Sequence, residues 1–237
     1  GLTVHVLSGN VVGVGVTSLI RSLLVKSATL GKSAVGEPVL PALFARALYD
    51  EDPALGSCIA VAYWPGGDEA LESTALSRAD AVVAYGSADA VEAVRRRTPA
   101  GAGFLGYGHR VSFGVLAREA MSASEAEAHA EDAALAVSIF DQQGCVSPHL
   151  FFVEEGGEVA PADWAAMLAR AMESVERRLP RGTLDPAEAA AIRQARAEAE
   201  FAGLAGGGQR VYQAESGTAW TVIYDPEPRF APSCLNR

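Results

Sequence analysis

Residues 2–24 read "LTVHVLSGNVVGVGVTSLIRSLL", and they change character twice. "TVHVLS" at 3–8 is a short apolar run with the length of a buried strand. "GNVVGVG" at 9–15 is a glycine-bearing turn. The chain then continues as "VTSLIRSLLVKSATL", where Ile20, Leu23, Leu24 and Ser27 recur at helical spacing. Strand, glycine turn and helix in succession open a βαβ unit, and this reading decides the fold class.

The same alternation runs outward to about residue 115. "PVLPALFARALYD" reads as a helix with Pro41 in its first turn. "IAVAYW" reads as a strand, "GGDEALESTALSR" as a helix and "DAVVAYG" as a strand. "SADAVEAVRRR" is a helix with Ser87 as its N-cap, and "GAGFLGYG" closes the series with a strand. A βαβα rhythm implies a parallel sheet covered on both faces. The pattern then changes. "SASEAEAHAEDAALAVSIF" predicts a long helix opened by a Ser124-x-x-Glu127 capping box. "HLFFVEE" predicts a strand. "PADWAAMLARAMESVERRL" predicts an amphipathic helix with Trp164, Leu168, Ala171 and Val175 on one face. "DPAEAAAIRQARAEAEFAGL" is a further helix, and "QRVYQA" and "TAWTVIYD" are two strands. Two lobes follow, 1–125 and 126–237.

Of the 237 residues 49% are hydrophobic and 20% charged, a globular composition, with a net charge of -10. An acidic chain is poorly suited to nucleic acid or to an anionic membrane surface. Arg21 and Lys26 interrupt the most apolar N-terminal stretch, so no run is long enough to span a bilayer. No signal-peptide pattern is present. The three cysteines, Cys58, Cys145 and Cys234, are widely spaced and form no Cys-x-x-Cys pair. That argues against a structural zinc site and a disulfide framework, and for a reducing cytoplasm. The missing initial Met and the abrupt ends read as part of a longer polypeptide.

Several residues have chemical potential, each with a plainer alternative. The glycine turn at 9–15 suits a cofactor phosphate or a purely structural bend, since Ser18 stands where a dinucleotide fingerprint has its third glycine. Lys32 is a surface lysine or a cation near a cofactor. Cys145 lies in "FDQQGCVSPHLFFVEE", between a helix and a strand. It is a buried filler, as lone cysteines often are, or a nucleophile reached through a polar turn. His5, His109, His129 and His149 have no metal-ligand spacing. His149 follows Cys145 by four residues, and His109 ends a predicted strand, where α/β proteins place ligands.

Taken in order, these segments resemble the aldehyde dehydrogenase superfamily, and within it the LuxC-type acyl-CoA reductases of bacteria. "SGNVVG" is similar to that family's Asn-containing turn, "LGKSAVGEP" to its Lys-Pro-Ser-Glu segment and "VVAYGS" to its Phe-Thr-Gly-Ser segment. "GYGHR" stands where Glu-Leu-Gly-Gly-Lys is usual, "FDQQGC" where the nucleophile motif is, and "PRFAP" where Ile-Phe-Gly-Pro is. The resemblance implies α/β lobes of three layers with mostly parallel sheets: a nucleotide-binding lobe, 1–125, and a catalytic lobe, 126–237, each incomplete. It implies Cys145 as nucleophile and the Asn10 amide as oxyanion donor. It implies Lys32, Ser33, Gly86, Ser87, Gly108 and, one position out of register, Glu227 as cofactor contacts, with no metal.

Departures from the family pattern refine this. The glutamate that activates water is replaced by Gly106, which suits a reductase whose acyl-enzyme must escape hydrolysis. Val35 replaces an acid that would repel a 2′-phosphate, which points to NADPH. The activity implied is reduction of a long-chain fatty acyl-CoA, or an acyl-protein thioester, to the aldehyde. The partners implied are acyltransferase and synthetase subunits, with a homo-oligomer in the full-length form. The competing readings are a cysteine acyltransferase or thioesterase without redox cofactor, and a non-catalytic nucleotide-binding fragment.

Overall fold

A computed structural model describes residues 1–108 and 110–230. His109, Cys234 and the end of the "PRFAP" segment lie outside the described residues. The chain divides into two compact units, Gly1–Arg110 and Val111–Arg237.

The first unit is built on five strands: β1 (Leu2–Val6), β2 (Ala28–Lys32), β3 (Ile59–Ala62), β4 (Ala81–Tyr85) and β5 (Gly103–Tyr107). All pairs are parallel, in the order β3-β2-β1-β4-β5. The chain winds outward from β1 in one direction, then returns past it and winds in the other. The helices are α1 (Val14–Leu24), α2 (Leu40–Glu51), the short α3 (Pro53–Gly56), α4 (Glu69–Leu76) and α5 (Ala88–Arg97). Val4, Val82 and Ala84 on one sheet face pack against Leu76, Ala79 and Val94 of the α4–α5 side. Asp68 and Ser87 cap α4 and α5 by accepting from Leu71 N–H and Ala90 N–H.

Helix α1 departs from the expected face. Its buried side is Gly15, Ser18, Leu19 and Ser22, whereas Ile20 and Leu24 are exposed. The cause is polar. His5 points inward from β1 at 1% exposure, and its two ring nitrogens lie 2.9 Å from Ser18 Oγ and 2.8 Å from Ser22 Oγ. A buried imidazole must be satisfied, so the serine stripe of α1 turns to the sheet and part of its leucine stripe turns away.

The second unit holds β6 (Ser112–Leu116), α6 (Ala126–Ser138), β7 (Pro148–Val153), α7 (Pro161–Arg178), α8 (Pro186–Ala202), β8 (Arg210–Gln213) and β9 (Thr221–Tyr224). Its strands form two separate pairs, β6-β7 parallel and β8-β9 antiparallel. The core lies between α6 and α7. Ala126, Ala130, Ala133, Ala134 and Val137 meet Trp164, Leu168, Met172 and Val175. The small alanines of α6 admit the large side chains of α7. Trp164 Nε1 donates to the carbonyl of Ala126 at 3.1 Å. Arg196 of α8 is buried and donates to Gly217 O (2.8 Å), Trp220 O (2.9 Å) and Thr221 Oγ1 (2.9 Å), fastening the β8–β9 loop.

The capping box expected at Ser124 and Glu127 does not form: α6 begins at Ala126, one residue later than that reading requires, and has no side-chain cap. Ser124 instead shares a hydrogen bond with Ser122. The box forms at α8, where the side chain of Asp185 accepts from Glu188 N–H and that of Glu188 from Asp185 N–H. Strand β6, which sequence periodicity did not mark, completes the parallel pair. Among the described residues no helix is long and apolar enough to cross a membrane.

Candidate active site

In the first unit, most of the candidate residues gather at one edge of the sheet. Asn10 follows β1, Lys32 ends β2 and Ser33 follows it, Gly86 and Ser87 follow β4, and Gly108 follows β5. These are the carboxyl ends of parallel strands. Strand order reverses there between β1 and β4, the arrangement that opens a ligand crevice. Two loops meet at this edge without side chains between them. A Cβ on Gly9 would lie 2.9 Å from Glu37 N, and a Cβ on Gly36 would lie 3.1 Å from Gly9 O. Only glycines permit that approach, and it sets the Asn10 loop against the loop that follows Ser33.

Ser33 is 1% exposed, and its hydroxyl has no hydrogen-bond partner among the described residues. A buried polar group left without a protein partner is open to one from a ligand or an ordered water. With Lys32 beside it and the glycine loops around it, the edge fits the phosphates and ribose of a dinucleotide. Ser87 has a second duty as N-cap of α5, where its Oγ accepts from Ala90 N–H at 3.2 Å. At position 106 no carboxylate can be accommodated as packed, because even a Cβ there would lie 2.7 Å from Val91.

The edge also carries groups the sequence reading passed over. Tyr85 and Tyr107, register partners at the ends of β4 and β5, stack with ring centroids 4.8 Å apart and planes 11° from parallel. Tyr85 OH donates to Ser18 Oγ at 3.1 Å, the same oxygen that meets His5. A polar chain thus runs from the sheet interior to the ligand edge. Burial lowers the pKa of His5 to about 4, so the ring is neutral at neutral pH. The only sequence signal for this chain was a histidine in an otherwise apolar strand.

The second unit holds Cys145, and the local sequence explains its setting. Helix α6 ends in two successive left-handed residues, Asp141 (φ 48) and Gln142 (φ 62). Gln142 N–H reaches back to the carbonyl of Val137 at 3.0 Å, closing the helix end in the Schellman manner. Asp141 Oδ2 accepts from Gly182 N–H at 3.1 Å, and Gln142 Nε2 donates to Pro148 O at 3.1 Å. Gly144 is required by space, since a Cβ would lie 2.9 Å from the ring of Phe140. Ser147 N–H donates to Gly144 O at 3.0 Å, which makes Cys145 and Val146 the two corner residues of a turn. Both are exposed. Ser112 of β6 donates from Oγ to the carbonyl of Cys145 at 2.7 Å. The cysteine is therefore a surface thiol on a corner braced from both sides.

Glu227, the remaining candidate, lies after β9 in the second unit. It is exposed. Its N–H donates to Asp225 Oδ1 at 3.0 Å, and its carboxylate lies 3.7 Å from Arg229. Arg229 also pairs with Asp225 at 2.7 Å. Burial raises the Asp225 pKa, but the hydrogen bonds from Arg229 and Glu227 N–H outweigh it and hold the carboxyl below its ordinary range.

The chain is 29% identical over 208 residues to a long-chain acyl-protein thioester reductase of Vibrio harveyi, covering 86% of this chain and 42% of the relative. It is 26% identical over 243 residues to the protein of the same name from Aliivibrio fischeri, covering 100% of this chain and 47% of the relative. The chain thus spans about half the length of the curated relatives it matches. Among solved structures it superposes with a TM-score of 0.72 on an indole-3-acetaldehyde dehydrogenase of P. syringae, at 15% identity over 94% of this chain and 46% of that one. It superposes equally well, with a TM-score of 0.72, on an NADP-dependent glyceraldehyde-3-phosphate dehydrogenase of Bacillus halodurans, at 13% identity over 100% of this chain and 50% of that one. The fold is aldehyde-dehydrogenase-like, as the resemblance implied. The LuxC family, described as acyl-CoA reductase, matches residues 1–237, and the chain belongs to that family.

Proposed function

We propose that the protein to which these residues belong reduces a long-chain fatty acyl thioester, carried on CoA or on a protein, to the aldehyde, with Cys145 as nucleophile and NADPH as reductant. The observation that carries this reading is the exposed thiol of Cys145 on a corner held by the end of α6 and by Ser112.

The Cys145 thiolate attacks the thioester carbonyl, forming a carbon–sulfur bond. The side-chain amide of Asn10 and the backbone N–H of Cys145 stabilise the oxyanion, and each such donor is worth about 3 kcal/mol of barrier. The carbonyl reforms as the carbon–sulfur bond to the carrier breaks. The carrier leaves as its thiolate and takes a proton from solvent, and the acyl group stays on Cys145. A bound nicotinamide supplies hydride chemistry at this stage. Lys32, Ser33, Gly86, Ser87, Gly108 and Glu227 hold the cofactor, with Lys32 favouring a 2′-phosphate. The sulfur then departs as thiolate and the product is released. Glycine at position 106 replaces the glutamate that activates water in the family pattern, which favours reduction over hydrolysis.

The test uses the complete protein with a long-chain acyl-CoA or acyl-protein, following NADPH absorbance, aldehyde and covalent acyl label together. Label without NADPH and aldehyde with it are expected. Thioester cleavage at the same rate without NADPH, or full turnover in Cys145→Ala, would overturn the proposal.

A further inference from the structure

The second unit contains a groove of about 790 Å³. Its floor is helical and apolar, with Trp164, Leu168 and Met172 from α7 and Ile192 from α8. Its walls are unusual. Every residue from His149 to Glu155 lines it on one side, and every residue from Thr221 to Arg229 on the other. A cavity against the face of a strand touches alternate residues, because successive side chains point to opposite faces. A cavity touched by every residue in turn runs along the strand's edge. The groove therefore lies between the open edges of β7 and β9. The helix layer is continuous beneath it and the sheet layer is interrupted.

Hydrogen bonding identifies the groups that face the gap. Glu154 N–H donates to Leu116 O of β6 at 2.9 Å. Alternation along the strand turns Phe152 the same way, and turns the N–H groups of Phe151 and Val153 to the opposite edge. In the other pair Ala214 N–H donates to Trp220 O at 3.3 Å. Val222 and Tyr224 then face β8, and Thr221 and Ile223 face away from it. Main-chain groups of both strands are thus directed into a slot with an apolar helical floor, where each needs a partner.

A fatty chain would fill the volume and leave those amides unpaired. An extended polypeptide supplies both the apolar side chains and the main-chain partners. The relatives offer a source: this chain spans 42% and 47% of the two reported above. We propose that an extended segment from the part of the protein outside these 237 residues occupies the slot between β7 and β9. It joins the two pairs of strands into one sheet. This inference does not depend on the acyl chemistry.

The test is hydrogen exchange on the complete protein, resolved to single amides by fragmentation in the mass spectrometer. The amides of Phe151, Val153, Thr221 and Ile223 are expected to be protected to within about tenfold of Phe152, Glu154 and Val222, whose partners are already in place. Exchange at the four slot-facing amides about a hundredfold or more faster than at those three would overturn the proposal. So would protection that appears only as protein concentration rises, which marks a second copy, or only on adding a long-chain acyl thioester, which marks a lipid site. A photo-crosslinker at Ile223 gives an independent reading. Capture of a residue outside the 237 is expected, and capture within them overturns the assignment of the occupant.

Discussion

The two units solve the problem of presenting reactive groups in different ways. The first builds one continuous five-stranded sheet and places its candidate ligand groups on loops at a single edge. The second builds its core from a helix pair and places its thiol where a helix stops. The difference teaches which part of each unit must be rigid. In the first, the frame is the strand order, and the loops are fixed by close backbone approach at Gly9 and Gly36. In the second, the frame is the α6–α7 contact, and the corner at Cys145 is fixed by what grips the end of α6 and by Ser112.

The contrast breaks most sharply at the cysteine. Cys145→Ala is expected to abolish covalent acylation and lower turnover by at least about a thousandfold. NADPH affinity, measured by titration calorimetry, should stay within about twofold, since the cofactor contacts proposed are mostly in the first unit. A large loss of NADPH binding would show that the division of labour is wrong.

The next effect concerns the helix pair. Trp164→Ala empties the space between α6 and α7 and removes the bond to Ala126 O. It should cost about 3–5 kcal/mol in denaturant titrations. A loss under about 1 kcal/mol would mean that the second unit does not draw its stability from that contact.

The third is a pH effect confined to the first unit. His5 has its folded pKa depressed to about 4 from 6.5 by burial. The unfolded chain therefore binds the proton more readily than the folded one. The contribution is whole above pH 6.5, is lost as pH falls from there toward 4, and is complete as a loss below that. The shift corresponds to about 3 kcal/mol. Stability of the native protein should decline across that window, and a His5→Gln variant should lose that part of the slope. An unchanged slope would remove the buried network from the account.

The smallest effect sharpens the picture of the corner. Ser112→Ala removes the 2.7 Å bond to the carbonyl of Cys145. It should cost about 1 kcal/mol of stability, with acylation slowed more than NADPH binding. Ser112→Thr should restore most of the acylation rate. Equal losses in both variants would make Ser112 a packing residue only.

The fold was legible wherever local pattern and tertiary role agree. The run from β1 through β5 reads out in order because each strand is a short apolar burst between turn residues. Strand β6 was not legible: "SFGVL" is short, contains glycine and takes its meaning from β7, more than thirty residues later. The apolar face of α1 was misread because a buried histidine on another strand reassigns it. Ser124 and Glu127 have capping-box spacing, but the chain enters α6 through Ser122 and Glu125 instead. For the candidate site, residue types left Cys145 and Lys32 with two readings each, and only the family resemblance singled them out together with Asn10 and Ser33. Nothing local could announce Ser112, Tyr107 or the buried serines of α1, since each matters through a partner distant in sequence.

The two left-handed residues before the cysteine, Asp141 and Gln142, have a consequence for directed evolution. Neither is glycine, so each keeps its backbone in a region that L side chains disfavour by about 1 kcal/mol or more. Replacing either with glycine relieves that penalty but removes a hydrogen bond of similar worth, from Gly182 to Asp141 or from Gln142 to Pro148. Selection for heat resistance alone would be indifferent to such a change, and selection for acyl transfer would reject it, because the corner would no longer present one orientation of the thiol.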